Sequence, residues 1–224
     1  MTRSAFKTWP LGPLLIALMA ISLDPATAQA QSWLRRFTRP GSNTATGVSV
    51  TTSTAEQDCR SEHPKRKPAP EDGGTRVCPG VHGFVVVVAE NDLRETVSVG
   101  RNRAFADKEP AAQKWFGPFS SAATTVEWRS RRPGSRPYAI IQRWSLADNK
   151  DPDKDGRPRD KQMLVVTRLP PGGVCHVAYV DVAANPNADD IAHKAADDAV
   201  RRFDCAKDKV RVDGTPGRAT ELAQ

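Results

Sequence analysis

Residues 84–99 read Phe84-Val85-Val86-Val87-Val88-Ala89-Glu90-Asn91-Asp92-Leu93-Arg94-Glu95-Thr96-Val97-Ser98-Val99. The first six are a continuous apolar run rich in β-branched side chains, the pattern of a central strand buried on both faces. Glu90-Asn91-Asp92 is a turn signal, and Thr96 to Val99 alternates polar and apolar, so the stretch predicts an antiparallel hairpin. Working outward, Gly47 to Thr54 alternates Val48, Val50 and Thr52 against small residues. Thr124 to Arg129 sets Val126 and Trp128 on one face, with Glu127 and Arg129 on the other. The turn Arg132-Pro133-Gly134-Ser135 leads into a partner strand, Tyr138 to Trp144. Met163 to Leu169 and Val174 to Val182 supply two more. Short, turn-bearing connections make the sheet mostly antiparallel.

One helix stands out. Ala188, Ile191, Ala192, Ala195, Ala196, Ala199, Val200 and Phe203 recur at helical spacing, while charged residues fill the opposite face. Pro186 suits its first turn, and Asn185 is placed to accept from its exposed backbone donors. The expected fold is therefore α+β, a mostly antiparallel sheet of about six to seven strands with one C-terminal amphipathic helix packed on it.

The N-terminus carries Arg3 and Lys7, then an apolar run from Leu11 to Leu23, a helix-breaking Pro25, and the small residues Ala28 and Ala30. This is the pattern of a cleavable secretory signal, and the run is shorter than the roughly 20 residues of a membrane-spanning helix. The expected organisation is a signal at 1–30, a loose leader at 31–45, one domain at 46–212 and a disordered tail at 213–224. No transmembrane segment is expected after cleavage. All four cysteines, Cys59, Cys78, Cys175 and Cys205, fall in the mature part, which suits an oxidising compartment, periplasmic or outside the cell. Three pairings are possible. Cys59 with Cys78 and Cys175 with Cys205 is favoured, because each pair encloses a short segment with its own turn signals. Their wide spacing departs from the close C-x-x-C pairs of zinc sites.

Removing the signal leaves 31 basic and 25 acidic residues, a charge of +6. That balance suits an anionic envelope component as partner, and it is equally what a soluble secreted domain carries without any such partner. No nucleic-acid module is visible, and no nucleic-acid partner is expected. Trp128, Arg129, Arg131, Arg132 and Arg136 flank one turn and form a candidate binding platform, against the simpler reading of a core tryptophan with solvated arginines. Arg101 and Arg103 end another strand, and Trp115 to Phe119 is an aromatic loop. Asp151, Asp153 and Asp155 ahead of Gly156 resemble the start of a calcium loop. Gln162 stands where such loops place a glutamate, and the other reading is a polar hairpin tip. No other cofactor is expected. His63 and His193 lie in a loop and on a helix face. His82 or His176, with Asp92 or Glu127, are the acid–base candidates, but neither a G-x-S-x-G nor a H-E-x-x-H signature accompanies them.

Cys78-Pro79-Gly80 with Gly83, Asp92-Leu93-Arg94, Val126-Glu127-Trp128-Arg129, Arg136-Pro137-Tyr138-Ala139-Ile140-Ile141 and Cys175-His176-Val177-Ala178-Tyr179-Val180-Asp181 together resemble a family of small secreted bacterial proteins with no assigned activity. The resemblance spans roughly Cys59 to Cys205. It implies an exported, disulfide-bearing domain and transfers no catalytic residue; the aspartate-rich loop is not part of its pattern. The expected function is a non-enzymatic binding module of the periplasm or cell envelope. The alternatives are a small secreted hydrolase and a calcium-stabilised extracytoplasmic domain.

Overall fold

A computed structural model of the chain describes residues 47–62, 74–200 and 202–224, which belong to one compact unit, Ala45–Gln224. The expected signal, the leader and His63 lie outside the described residues. The hairpin read from residues 84–99 is present as β4 (Val85–Asn91) and β5 (Arg94–Gly100), antiparallel with Asn91 opposite Arg94. Its two-residue loop, Asp92-Leu93, has positive φ at both positions (51° and 59°), the handedness that matches the twist of paired strands. Val86, Val88, Val97 and Val99 are buried on one side of the hairpin. Val87 is buried on the other side with Val77 and Ala106. The β-branched run is thus covered on both faces, as its composition requires.

The other strands are β1 (Val48–Ser53), β2 (Arg60–Glu62), β3 (Thr75–Pro79), β6 (Ser120–Ser130), β7 (Ala139–Pro152), β8 (Pro158–Arg168), β9 (His176–Asp181) and β10 (Arg211–Val212). The sheet runs β10-β9-β8-β7-β6-β5-β4-β3-β2, with β1 paired to β6 off that path, and contains ten strands among the described residues where about six to seven are expected. The additional ones, β2, β3 and β10, are two to five residues long, too short for a period to register. Pairing is antiparallel except between β9 and β10 and at the single Arg94–Ser120 register of β5 and β6.

The two bridges are Cys59–Cys78 and Cys175–Cys205, with Cα–Cα distances of 4.2 and 5.8 Å, and no cysteine is free. The first joins β3 to the residue preceding β2. The second joins the residue before β9 to the segment beyond α2 (Ala188–Ala199), the helix that follows the one-turn α1 (Arg103–Ala106). Helix α2 lays Ala188, Ala192, Ala195 and Ala196 against Leu164, Val166, Val177 and Val180 of β8 and β9. Its small side chains allow that close approach. On the opposite face Trp128, Trp144, Leu146, Met163, Val165 and Tyr179 form the larger core around Phe116. No helix among the described residues is long and apolar enough to cross a membrane.

The structure corrects three expectations. The helix is not the last element, and residues 213–224 are not a disordered tail: α3 (Arg218–Leu222) follows β10 and buries Ala219, Thr220 and Ala223. Asp181, itself buried, accepts from the backbone N–H of Ala219 at 2.9 Å. Asn185 does not cap α2. Its amide instead holds the segment between β10 and α3, donating to Thr215 O and accepting from Thr215 N, each at 2.8 Å. Gly217 comes so close to Asp181 that a side chain there would overlap the carboxyl group. Arg218 closes the latch with two bonds to the buried Asp148 carboxylate, at 2.7 and 2.8 Å.

That pairing with Arg218 holds the Asp148 carboxyl at about 2, below its ordinary 3.8. A carboxyl with a depressed folded-state pKa contributes stability that is complete above the unfolded value and is lost as pH falls through the folded one. Asp148→Asn should therefore lower the melting temperature at pH 7, and the gap from wild type should close between pH 4 and pH 2. A gap of the same size at pH 2 would mean that the ion pair is not its cause.

Candidate functional site

Strand alternation assigns the residues of β6 to two different jobs. Trp128 points into the larger core, fully buried, stacked 6.2 Å from the Phe84 ring and donating through Nε1 to Thr52 Oγ1 at 2.8 Å. Its neighbours Glu127 and Arg129 face the other way, toward α2 and β1. Arg129 is buried and binds Asp197 of α2 in a fork, with Nη2–Oδ2 at 2.7 Å and Nη2–Oδ1 at 3.0 Å. The backbone N–H of Gly47 donates to the same carboxylate at 3.0 Å, and the Tyr138 hydroxyl also donates to it. A Cβ on Gly47 would overlap the Tyr138 hydroxyl, the Asp197 carboxyl and the Arg129 guanidinium, so glycine is required by close approach.

Burial pushes the Asp197 carboxyl up, but hydrogen bonds from Arg129, Tyr138 and Gly47 outweigh it and hold the group below its ordinary value. Burial and the adjacent Asp197 push the Tyr138 hydroxyl above its own. Trp128 and Arg129 are therefore interior groups, and the platform expected from sequence loses both. The physical reason is the alternation itself, which turns one side chain into the core and the other onto α2.

The remaining three arginines of that turn are differently placed. Arg131, Arg132 and Arg136 are exposed on the loop joining β6 to β7. Its tip is fixed by Ser135 N donating to Arg132 O at 3.1 Å and Arg132 N donating to Ser135 Oγ at 3.2 Å, with Gly134 at φ 70°, the left-handed region that glycine adopts without strain. The Arg136 guanidinium lies 4.8 Å over the Phe84 ring. Across from this loop runs the connection from β8 to β9, and between them is a cleft of about 730 Å³ lined by Arg131, Arg132, Arg136, Tyr138 and Arg168. Leu169 N donates to Tyr138 O at 2.8 Å and ties the two walls.

Sequence reasoning missed Arg168. Its only local signal is the Pro-Pro-Gly-Gly turn that follows it, which marks a chain reversal and says nothing of what the preceding side chain faces. Arg168 Nη2 donates to Pro171 O at 2.6 Å, Nη1 donates to Phe203 O, and its buried Nε has no partner among the described residues. The Cys175–Cys205 bridge anchors the chain two residues beyond Phe203.

The arginines of the cleft differ from those that the fold ties to carboxylates, and resemble the scattered exposed Arg101, Arg157, Arg159 and Arg202 in having no such pair among the described residues, but they stand together. Arg76, Arg94, Arg103, Arg129, Arg143, Arg211 and Arg218 each pair with a carboxylate. Among the described residues, no carboxylate pairs with Arg131, Arg132, Arg136 or Arg168, and none lines the cleft. Four guanidinium groups on two walls, with no internal counter-charge, raise the local positive potential.

The other expected sites do not assemble. Asp153 Oδ1 accepts from the backbone N–H of Asp155 and Arg157 at 2.8 and 2.9 Å, and Asp151 pairs with Lys161, so these carboxylates stabilise a hairpin tip. Among the described residues no group of three or more His, Cys, Asp or Glu stands together as metal ligands. His176 is buried, with Nδ1 3.0 Å from the Tyr179 hydroxyl, and burial pushes its pKa down to about 3, with Lys114 adding to the effect. His82 sits exposed in a turn at φ 54°. Glu127 accepts from Ser49 and lies 2.7 Å from His193 Nε2, and Asp92 pairs with Arg94, so neither carboxylate serves His82 or His176. Arg103 is engaged by Asp107, and Phe116 is buried while Trp115 and Phe119 stay partly exposed. No family model, no curated protein and no solved structure matches the chain.

The Arg129–Asp197 pair makes a specific claim on stability. Removing one partner of a buried ion pair leaves an uncompensated charge, at a cost of about 3 kcal/mol or more, whereas replacing both by apolar residues of similar volume is far less costly. In urea denaturation Asp197→Ala should lose about that much, and Arg129→Met with Asp197→Leu should recover most of it. Equal losses in the single and double variants would contradict a buried pair.

Proposed function

We propose that the chain is an exported, non-enzymatic binding module of the periplasm or cell envelope, and that the arginine cleft takes an anionic ligand. The observation that carries the reading is the set of four guanidinium groups around one cleft with no carboxylate among its lining residues. Arginine suits the task because its planar fork bonds phosphate or carboxylate oxygens two at a time and stays charged at any physiological pH. A cleft of about 730 Å³ falls within the span of roughly 300–1,000 Å³ over which small-molecule sites occur. Export is supported by the signal pattern at 1–30 and is compatible with two disulfides.

The hydrolase and calcium readings are not taken further. His176 is sealed against Tyr179, His82 has no carboxylate beside it among the described residues, and the aspartate loop spends its oxygens on its own backbone and on Lys161.

Ligand binding to the folded state raises the melting temperature by mass action. Thermal shift of the purified protein with sodium pyrophosphate should show a saturable rise that weakens as salt is added. The variant carrying Arg131→Ala, Arg132→Ala and Arg136→Ala, all at exposed positions, should fold normally and show no rise. An absent rise in wild type, or an equal rise in the variant, would overturn the proposal.

A further inference from the structure

The arginines account for only part of the cleft wall. Pro137, Leu169, Pro170, Pro171 and Val200 back the rest; Pro137, Leu169 and Val200 are buried, and the apolar surface that reaches the cleft is that of Pro171, exposed, and Pro170, partly so. A site built for a small, fully hydrated anion such as free phosphate gains nothing from proline rings and aliphatic side chains. Polar donors would serve it better, and in the lining they are confined to the arginines, Ser135 and Tyr138. The Tyr138 hydroxyl is already committed to Asp197, and the Ser135 hydroxyl donates to Arg132 O at 2.8 Å. The wall therefore presents charge on the loop joining β6 to β7 and on Arg168, and apolar surface at Pro170 and Pro171 beside them.

We infer that the ligand is an anionic amphiphile: a phosphate headgroup held by Arg131, Arg132 and Arg136, with Arg168 adding its charge and the second N–H of each of its carbonyl-bonded Nη groups, and an attached apolar body lying over Pro170 and Pro171. This rests on the cleft being the anion site and deepens that reading. Guanidinium pairing fixes the headgroup. Apolar burial then adds affinity in proportion to the chain surface removed from water. The two contributions are separable because they come from different side chains. The ribbon bearing Pro170 and Pro171 is itself tied down by Arg168, whose Nη2 bonds Pro171 O, so the charged and apolar walls are held in one register.

The test is isothermal titration of the full protein with three monomeric probes below their micelle concentrations: glycerol 3-phosphate, dihexanoyl phosphatidylglycerol and dihexanoyl phosphatidylcholine. Dihexanoyl phosphatidylglycerol should bind at least tenfold more tightly than glycerol 3-phosphate, and the phosphatidylcholine should bind at least tenfold more weakly than the phosphatidylglycerol. The substitution Pro170→Ser, at a partly exposed position that leaves Pro171 and its bond to Arg168 in place, should narrow the gap between the two anionic probes while leaving glycerol 3-phosphate unchanged. Equal affinity for glycerol 3-phosphate and phosphatidylglycerol would overturn the amphiphile and leave the anion site standing. Equal affinity for the two lipids would overturn the headgroup assignment. No binding of any probe, with the pyrophosphate response intact, would likewise overturn the amphiphile alone, whereas loss of both responses would remove the site itself.

Discussion

The buried ion pair between Arg129 and Asp197 is the contact on which the arrangement around the cleft depends. A guanidinium with almost no exposure is tolerated only where a carboxylate and further hydrogen bonds meet it, and Asp197 supplies the carboxylate from a different element, α2. This requirement fixes the rotation of the helix over the sheet. With Asp197 turned toward β6, the alanine face must lie on β8 and β9, and Tyr138 at the start of β7 is drawn to the same carboxylate. The backbone of Tyr138 then receives Leu169 N–H, which brings the β8–β9 connection alongside the loop of arginines. The cleft is the gap left between these two pinned segments.

Charge is treated differently inside and at the rim. Within the fold, positive groups meet negative ones: Arg129 with Asp197, Arg218 with Asp148, Arg76 with Glu95. Around the cleft they do not, and four like charges side by side raise the energy of the empty site. Such repulsion is relieved when an anion enters, which makes the uncompensated arginines the basis of the proposed binding function. The Cys175–Cys205 bridge serves this geometry indirectly, by anchoring the segment whose Phe203 carbonyl receives Arg168.

The sequence was informative wherever a regular period ran for several residues. The valine run at 84–89 and the alternation at 126–129 set the strands and even the faces of Glu127 and Arg129, and the alanine spacing set α2. Turn signals between the cysteines led to both bridges. Long-range side-chain contacts were not legible. Residues 213–224 look like a loose tail because their glycines, prolines and polar groups have no local period, yet Asp148, Asp181 and Asn185, 30 to 70 positions away, capture them. The candidate platform mixed buried and exposed residues for the same reason. Adjacent positions in a strand face opposite sides, so a cluster of basic and aromatic letters at 128–136 divides into a core tryptophan, an interior arginine and a rim of three. Arg168 joins that rim only through the fold.

In the proposed function these four arginines, and no interior one, meet the ligand. The most direct measurement follows the arginine Nε–Hε signals in nitrogen–proton NMR spectra while pyrophosphate is added. With the anion in the cleft, the signals of Arg131, Arg132, Arg136 and Arg168 should move together along one saturating curve while that of Arg129 stays fixed. Movement of Arg157 and Arg159 instead, or weak unsaturating shifts spread over all the exposed arginines, would contradict it.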